Sequence, residues 1–369
     1  MLEALARQSA KSSLEQEAKK LGLLELGRGL ASALVVFHHS GDILAEKRFY
    51  GIDAFGGHLH NFNVGVDFFF VLSGFIIAWV HWGDIGKRDR LGRYAVRRFS
   101  RIYPPYWCIL VPLIILYQIF PAAGAPSQHD LATAFFSIPL LPYVNPPVLG
   151  VAWTLVHEVF FYTLFGFIIA IGFPAIWMLA AWGLAILVCS FFGELGYPAN
   201  FIFDPFNLEF LFGVGAAVFL QRYRVPLPSA FLGIGTGIFL LALLFGTHIQ
   251  DVPIAGRAVF GLSSLAIVVG AVELELRHTI RLPPVLALLG AGSYAVYLVH
   301  PEALSALCSI LARFGHRAIP LNAAIIITSL LAIGIGLTYH VFVESPVTKR
   351  TRRALTAGLE RFGSIRKWA

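Results

Sequence analysis

The segment LELGRGLASALVVFHHSGD, residues 24–42, is apolar enough to enter a membrane, yet it carries an arginine and two adjacent histidines. Arg28 and His39 are eleven residues apart, close to three full turns of an α-helix, so the spacing puts both on one helical face. Glu25 falls about 40° from that line and His38 about 80° away from it. Ionisable groups at membrane depth are costly, and they mark a functional site by default. An imidazole can take a proton from a hydroxyl near neutral pH, and a guanidinium can hold an anion. The competing reading of a lone histidine is a core residue bonded to a backbone carbonyl.

Here the histidine has company. Asp67, in GVDFFFVLSGF (65–75), is expected at the depth of His39, since the first span runs outward and the second returns. A carboxylate there would fix the imidazole tautomer and stabilise the imidazolium. Ser73 belongs to the same stretch. In VAWTLVHEVFFYTLF (151–165), Thr154, Glu158 and Tyr162 are in register at i, i+4 and i+8, which brings a second carboxylate inward beside His157. SYAVYLVHPE (293–302) supplies His300, and Pro301 after it frees a backbone carbonyl. Ordinary interhelical hydrogen bonding is the alternative for each of these. RRFSRIYPPYW (97–107) has a different character, with Arg97, Arg98 and Arg101 ahead of an apolar span and Tyr103 and Tyr106 just inside it. An i, i+3 arginine pair offers fixed donors suited to phosphate, although arginines in such a place also set orientation and meet anionic lipid.

The elements that must position these groups are membrane helices. Of 369 residues 57% are hydrophobic and 13% charged, with a mean hydropathy of +0.73, far from the composition of a soluble domain. The expected fold is all-α, a polytopic bundle of about ten spans near 23–44, 62–82, 102–121, 150–171, 173–193, 206–221, 229–247, 256–274, 285–305 and 321–341. An even count puts both termini on one side. Placing them in the cytoplasm gathers KRDRLGRYAVRRFSR, QRYR, ELRHTIR and KRTRR there, while 122–149 and 194–205 carry no Lys or Arg. Lys47, Arg48, Arg257, Arg313 and Arg317 run against that rule. Residues 1–22 read as a polar cytoplasmic tail or helix without the core of a signal peptide, 23–346 as the membrane domain and 347–369 as a basic tail. The Pro- and aromatic-rich loop after the third span is expected to be re-entrant or a lid. The net charge of +7 lies beside apolar spans, so membrane lipid and not nucleic acid is its expected partner. Cys108, Cys189 and Cys308 have neither disulfide nor metal spacing, and no metal is expected.

Taken in order, these segments resemble the acyltransferase-3 family of multi-span membrane O-acyltransferases, which modify bacterial surface polysaccharides and other extracytoplasmic acceptors. LELGRGLASALVVFHH looks like the family's first-span motif of an arginine, ten residues and a histidine, matched by Arg28 and His39. GVDFFFVLSGF is similar to its second-span signature, RRFSRIYPPYW to its arginine-xx-arginine segment through Arg98 and Arg101, WTLVHEVFFY to its stretch ending in a glutamate, here Glu158, and GAGSYAVYLVHPE to its late motif with His300. The resemblance runs from about residue 22 to residue 346. The doubled histidine makes spacing decide the first-span match, and His157 stands where the family often has a small or apolar residue. It implies an acyl-CoA co-substrate, most often acetyl-CoA, bound through Arg98 and Arg101 with Arg97 and Tyr103 beside them. It also implies a saccharide or lipid-linked sugar acceptor and a place in the bacterial inner membrane. His39 would act either as the base that deprotonates the acceptor or as a covalent acyl carrier, with Asp67 or Glu158 in support. The rival reading from another class is a transporter or lipid-linked sugar flippase using the His, Asp and Glu groups as a proton relay.

Overall fold

A computed structural model describes residues 21–120, 122–193, 195–245, 253–313 and 319–365. The expected polar segment at the N-terminus, up to residue 20, and Arg317 lie outside them. The described residues are helical, with no strand among them. This is what a bilayer demands, because a helix satisfies its own backbone hydrogen bonds where no water can. Each of the ten expected spans has a helix in its place, and eight of these are long and apolar enough to cross a membrane. The helix α1 (Gly22–Ala45) has the length but carries Glu25, Arg28, His38, His39 and Asp42, and α6 (Ile176–Cys189) is short.

Helix α1 is the hub. It packs against α2 (Gly65–His81), α9 (Leu262–Arg277), α10 (Pro284–Ala291), α11 (Ser293–Arg313) and α12 (Leu321–Tyr339). The expected ninth span is thus two helices, broken at Gly292. The tightest crossing joins α2 to α7 (Phe206–Arg222), where Gly74 of one helix and Gly213 of the other face backbone. A Cβ on Gly74 would stand 2.0 Å from the Phe210 carbonyl oxygen, and one on Gly213 would stand 1.9 Å from that of Val71. Small residues let membrane helices approach this closely. Gly213→Ala is therefore expected to cost roughly 1–3 kcal/mol by overpacking. Thermal denaturation in detergent is the check, and an unshifted midpoint would contradict the close crossing.

Two expectations change. Helix α3 spans Leu91–Ile119, beginning eleven residues before the expected third span, because the amphipathic stretch 91–101 continues the apolar helix through Pro104 and Pro105. Tyrosines of later helices take carbonyls near that proline pair, Tyr294 that of Ile102 at 2.9 Å and Tyr339 that of Pro105 at 2.7 Å. Arg98 and Arg101 consequently sit within the helix and not at its mouth. The basic C-terminal segment is also more than a tail. Helix α13 (Ser345–Ile365) continues α12 through a π-turn at His340–Glu344 and packs along α3.

The loop after α3 turns back along it, as the re-entrant reading expects. Its short helix α4 (Leu131–Ser137) ends in a run of carbonyls that accept from α3: Ser137 from Tyr106 (2.9 Å), Ile138 from Trp107 (2.8 Å) and Pro139 from Tyr103 (2.9 Å). Tyr103 lies roughly 24 Å back along the helix axis from the Ile119 end. The segment then enters α5 (Trp153–Ile171), the helix of Thr154, Glu158 and Tyr162.

Candidate functional site

A cavity enclosing about 740 Å³ of space, part of it open to solvent, lies between α1, α2, α3, α5 and α11. Three of its walls carry an arginine or an acid: Arg28 from α1, Arg98 and Arg101 from α3, and Glu158 from α5. The rest is largely apolar or aromatic, with Phe69, Ile76, Leu155, Tyr294 and Tyr297 among the lining. One end of this space is therefore cationic and the remainder suits a slender, weakly polar chain.

Glu158 is the hub of the polar wall. Its Oε1 accepts from Ser73 at 2.9 Å and from the Tyr162 hydroxyl, one helical turn away. The charges acting on Arg28 are Arg101 in repulsion and Glu158, Glu344 and Glu25 in attraction. Arg98 is held differently, by ring faces, with its guanidinium carbon 5.2 Å from the Tyr162 centroid and 5.8 Å from that of Tyr94. Cation–π contact steadies the group without consuming its N–H donors. Its buried Nε has no hydrogen-bond partner among the described residues. Arg352, from α13, reaches the same region with Nε 3.5 Å from the Ser100 hydroxyl, and it feels the repulsion of Arg101, Arg97 and Arg98. Four like charges brought together favour a polyanion as their counter-charge.

His39 does not line the cavity. It lies beyond the far end, where the Thr154 hydroxyl meets the Tyr297 hydroxyl at 3.0 Å and the Tyr297 ring stands 5.7 Å from that of His300. His300 Nε2 is 3.1 Å from His39 Nδ1, so the two histidines that the motifs singled out are in contact. Their neighbours fix the tautomers of the neutral rings. His300 Nδ1 faces the Val296 carbonyl at 3.2 Å and must donate to it, leaving its Nε2 as an acceptor. His39 Nδ1 faces the Val35 carbonyl at 3.0 Å as well as that acceptor, so it also carries hydrogen. The lone pair of His39 is then on Nε2, which has no hydrogen-bond partner among the described residues. That is the protonation pattern of a base ready to accept a proton.

The structure corrects the company assigned to His39. Asp67 is not beside it. Asp67 is 1% exposed and its carboxylate lies 2.9 Å from Nη1 of Arg257, which is 3.8 Å from the fully buried Glu209 through Nε. Asp67 and Glu209 thus share one cation, and the Arg257 guanidinium lies 3.9 Å over the Phe206 ring. A carboxylate in an apolar bundle needs a cation, and Arg257 supplies it from a π-turn at Arg257–Gly261. Glu158 is likewise bound to Ser73 and Tyr162 and not to His39. His157 faces away from Glu158, buried among Phe70, Trp153 and Phe201 with Nδ1 3.0 Å from the Asn207 side-chain oxygen. This is a structural interhelical bond. Tyr103 is occupied by the Pro139 carbonyl and stacks on Phe99, and neither it nor Arg97 lines the cavity. His38 turns from His39 to the Leu59 carbonyl (3.2 Å) and Asp42 (3.3 Å). Of the residues that matter here, Arg257, Glu209, Arg352 and Tyr297 had no role in the sequence reading. Arg257 did leave a signal, as an arginine at the edge of an apolar span on the wrong side for the charge rule.

A bundle of helices long and apolar enough to cross a membrane, with arginines in the walls of its cavity and a histidine pair beyond, defines the class, a multi-pass membrane protein. The family described as "Acyltransferase domain" (Acyl_transf_3) matches residues 22–341, and the chain belongs to it. It is 29% identical over 334 residues to the exopolysaccharide production protein ExoZ of Rhizobium meliloti (strain 1021), covering 84% of this chain and 98% of that one. It is 25% identical over 370 residues to the acyltransferase MdmB of Streptomyces mycarofaciens, covering 85% of this chain and 90% of that one. No solved structure matches the chain. The protein is a membrane acyltransferase.

Proposed function

We propose that this chain transfers an acyl group, in the first instance acetyl, from cytoplasmic acyl-CoA to a hydroxyl of an extracytoplasmic or lipid-linked saccharide at the bacterial cytoplasmic membrane. The observation that carries this reading is the cavity with Arg28, Arg98 and Arg101 in its walls and the Tyr297–His300–His39 contact beyond its far end. The arginines face the phosphates of the donor, and the apolar passage accommodates the pantetheine arm, so the thioester approaches the histidine pair. The acceptor comes from the opposite side. ExoZ carries exopolysaccharide production in its name, which supports a saccharide acceptor here.

In the base route His39 Nε2 takes the acceptor proton as the hydroxyl oxygen attacks the thioester carbonyl, and the tetrahedral adduct expels the CoA thiolate. The imidazolium so formed holds its Nδ1–H between the Val35 carbonyl and His300 Nε2. A neutral imidazole thus does the orienting that the sequence assigned to a carboxylate. In the relay route Nε2 attacks the thioester carbonyl and expels the CoA thiolate; the acceptor oxygen then attacks the acyl carbon, gives its proton to the thiolate and displaces the imidazole. Glu158 positions Ser73 and Tyr162 and balances the arginines.

The test is radiolabelled acetyl-CoA with membranes containing the protein and a polysaccharide or lipid-linked sugar. Label entering the acceptor is expected, and none entering any saccharide, with donor turnover unchanged from empty membranes, refutes the reading. Arg98→Ala is expected to raise the donor KM about ten-fold while kcat changes little, because a charge-assisted bond made equally in ground and transition states is lost. Arg352→Ala should move KM in the same direction and by less. A fall in kcat at constant KM would place Arg98 in the chemical step instead.

A further inference from the structure

Beside the His39 face, at the same end of α1, stands a group that acyl transfer does not use. His38 and Asp42 share one face of α1 at i and i+4, and His60 comes to them from the 3₁₀ segment Phe55–Val64 that precedes α2. His38 Nε2 is 3.3 Å from Asp42 Oδ2, and His60 Nδ1 is 3.0 Å from Asp42 Oδ1. One ligand atom from each of the three lies within 4.8 Å of the others. Tetrahedral ligands about 2.0 Å from a zinc ion stand about 3.3 Å apart, so small side-chain shifts would bring the three to one ion.

The outer contacts of the two rings add a second, independent observation. His38 points its other nitrogen, Nδ1, at the Leu59 carbonyl at 3.2 Å, so that nitrogen carries hydrogen and Nε2 presents its lone pair to the cluster. The other nitrogen of His60, Nε2, lies 3.5 Å from Asp53 Oδ1, a carboxylate placed to take its hydrogen when Nδ1 holds an ion. A carbonyl behind one imidazole and a carboxylate behind the other are the outer partners that metal-binding histidines have. Were His38 only a partner of Asp42, it would have to be protonated, since its Nδ1–H is already turned to the Leu59 carbonyl.

We propose that His38, Asp42 and His60 bind a divalent cation of the zinc class. Three protein ligands leave a tetrahedral ion one position for water or a hydroxyl. The ion would join the end of α1 to the segment leading into α2. Because the ring of His38 is 4.9 Å from that of His39, it would also stiffen the wall beside the acyl-transfer histidine. This departs from the expectation of no metal, which rested on the cysteines alone. It holds whether or not the acyl-transfer reading is right, since its readouts involve no turnover.

The full-length protein, free of any polyhistidine tag and in detergent micelles, is loaded with zinc chloride, passed through gel filtration and assayed for metal by mass spectrometry. One zinc per chain is expected, with a zinc-dependent rise in thermal midpoint. His60→Ala is expected to lose both. Asp53→Asn, which removes an outer partner and no ligand, is expected to weaken zinc binding about ten-fold or more. Should the unmodified protein retain no more zinc than His60→Ala, or should zinc leave its thermal midpoint where it was, the cluster is an ion-pair network and the proposal fails. Should Asp53→Asn bind zinc as well as the unmodified protein, the assigned geometry is wrong.

Discussion

His39→Ala is expected to lower acyl transfer to the acceptor by roughly 10²–10⁴-fold, the range over which a positioned acid–base group contributes. The protein should still insert, fold and bind donor, because His39 is only half-buried and its hydrogen bonds run to one carbonyl and one other imidazole. The measurement is label transfer from acetyl-CoA at saturating donor, beside donor binding by equilibrium dialysis and the gel-filtration profile. Loss of transfer with donor binding intact fits a base or acyl carrier. Equal loss of both would make His39 part of the donor site, and retention of transfer removes it from the mechanism altogether. His300→Ala separates a second point. It removes the acceptor on which the His39 Nδ1–H rests, yet leaves the Val35 carbonyl, so a partial loss of rate is expected, smaller than that of His39→Ala.

The split between what was legible in the sequence and what was not follows from the kind of information each inference needs. The pairing of Arg28 with the cavity, the helices themselves and the separation of His38 from His39 depend on angles around one helix, which spacing supplies. That His38 and His39 point to different partners is the 100° step of an α-helix made visible. The same step separates His157 from Glu158, and it explains why one became a packed core group and the other a cavity wall. Asp67 was misplaced because depth in the membrane fixes one coordinate and leaves the angle free. From Asp67 to Ser73 the helix turns so that the two residues lie about 120° apart. Since Ser73 reaches Glu158, Asp67 must look elsewhere, toward α7 and Arg257. Arg352 and His60 could not be placed from sequence at all, for their positions depend on how α13 lies on α3 and how residues 46–64 return to α1. Those are long-range packing choices with no periodic signature.

The second large effect is expected from a residue that touches neither the cavity nor the histidines. Arg257→Met is expected to destabilise the bundle by about 3–5 kcal/mol, the cost of breaking a buried ion pair by removing one partner. The reason lies in the charge count of the cluster. Arg257, Asp67 and Glu209 are 7%, 1% and 0% exposed, and one guanidinium faces two carboxyls. The trio is neutral only if one of the two carboxyls keeps its proton, with the single guanidinium as the cation placed against both. Without the arginine, a carboxylate would stand unpaired where α2 meets α7, the crossing already closed tightly by Gly74 and Gly213. Removing every charge at once should do much less harm, because a neutral cluster of similar volume has no ion to desolvate. The triple variant Arg257→Met, Asp67→Asn, Glu209→Gln is therefore expected to recover most of the thermal midpoint lost by Arg257→Met alone. A triple variant as unstable as the single would mean that the guanidinium acts through its packing over Phe206 and not through its charge. If it regained stability but not acyl transfer, Asp67 would return to the chemistry, at a distance from His39 that only a change of helix packing could close.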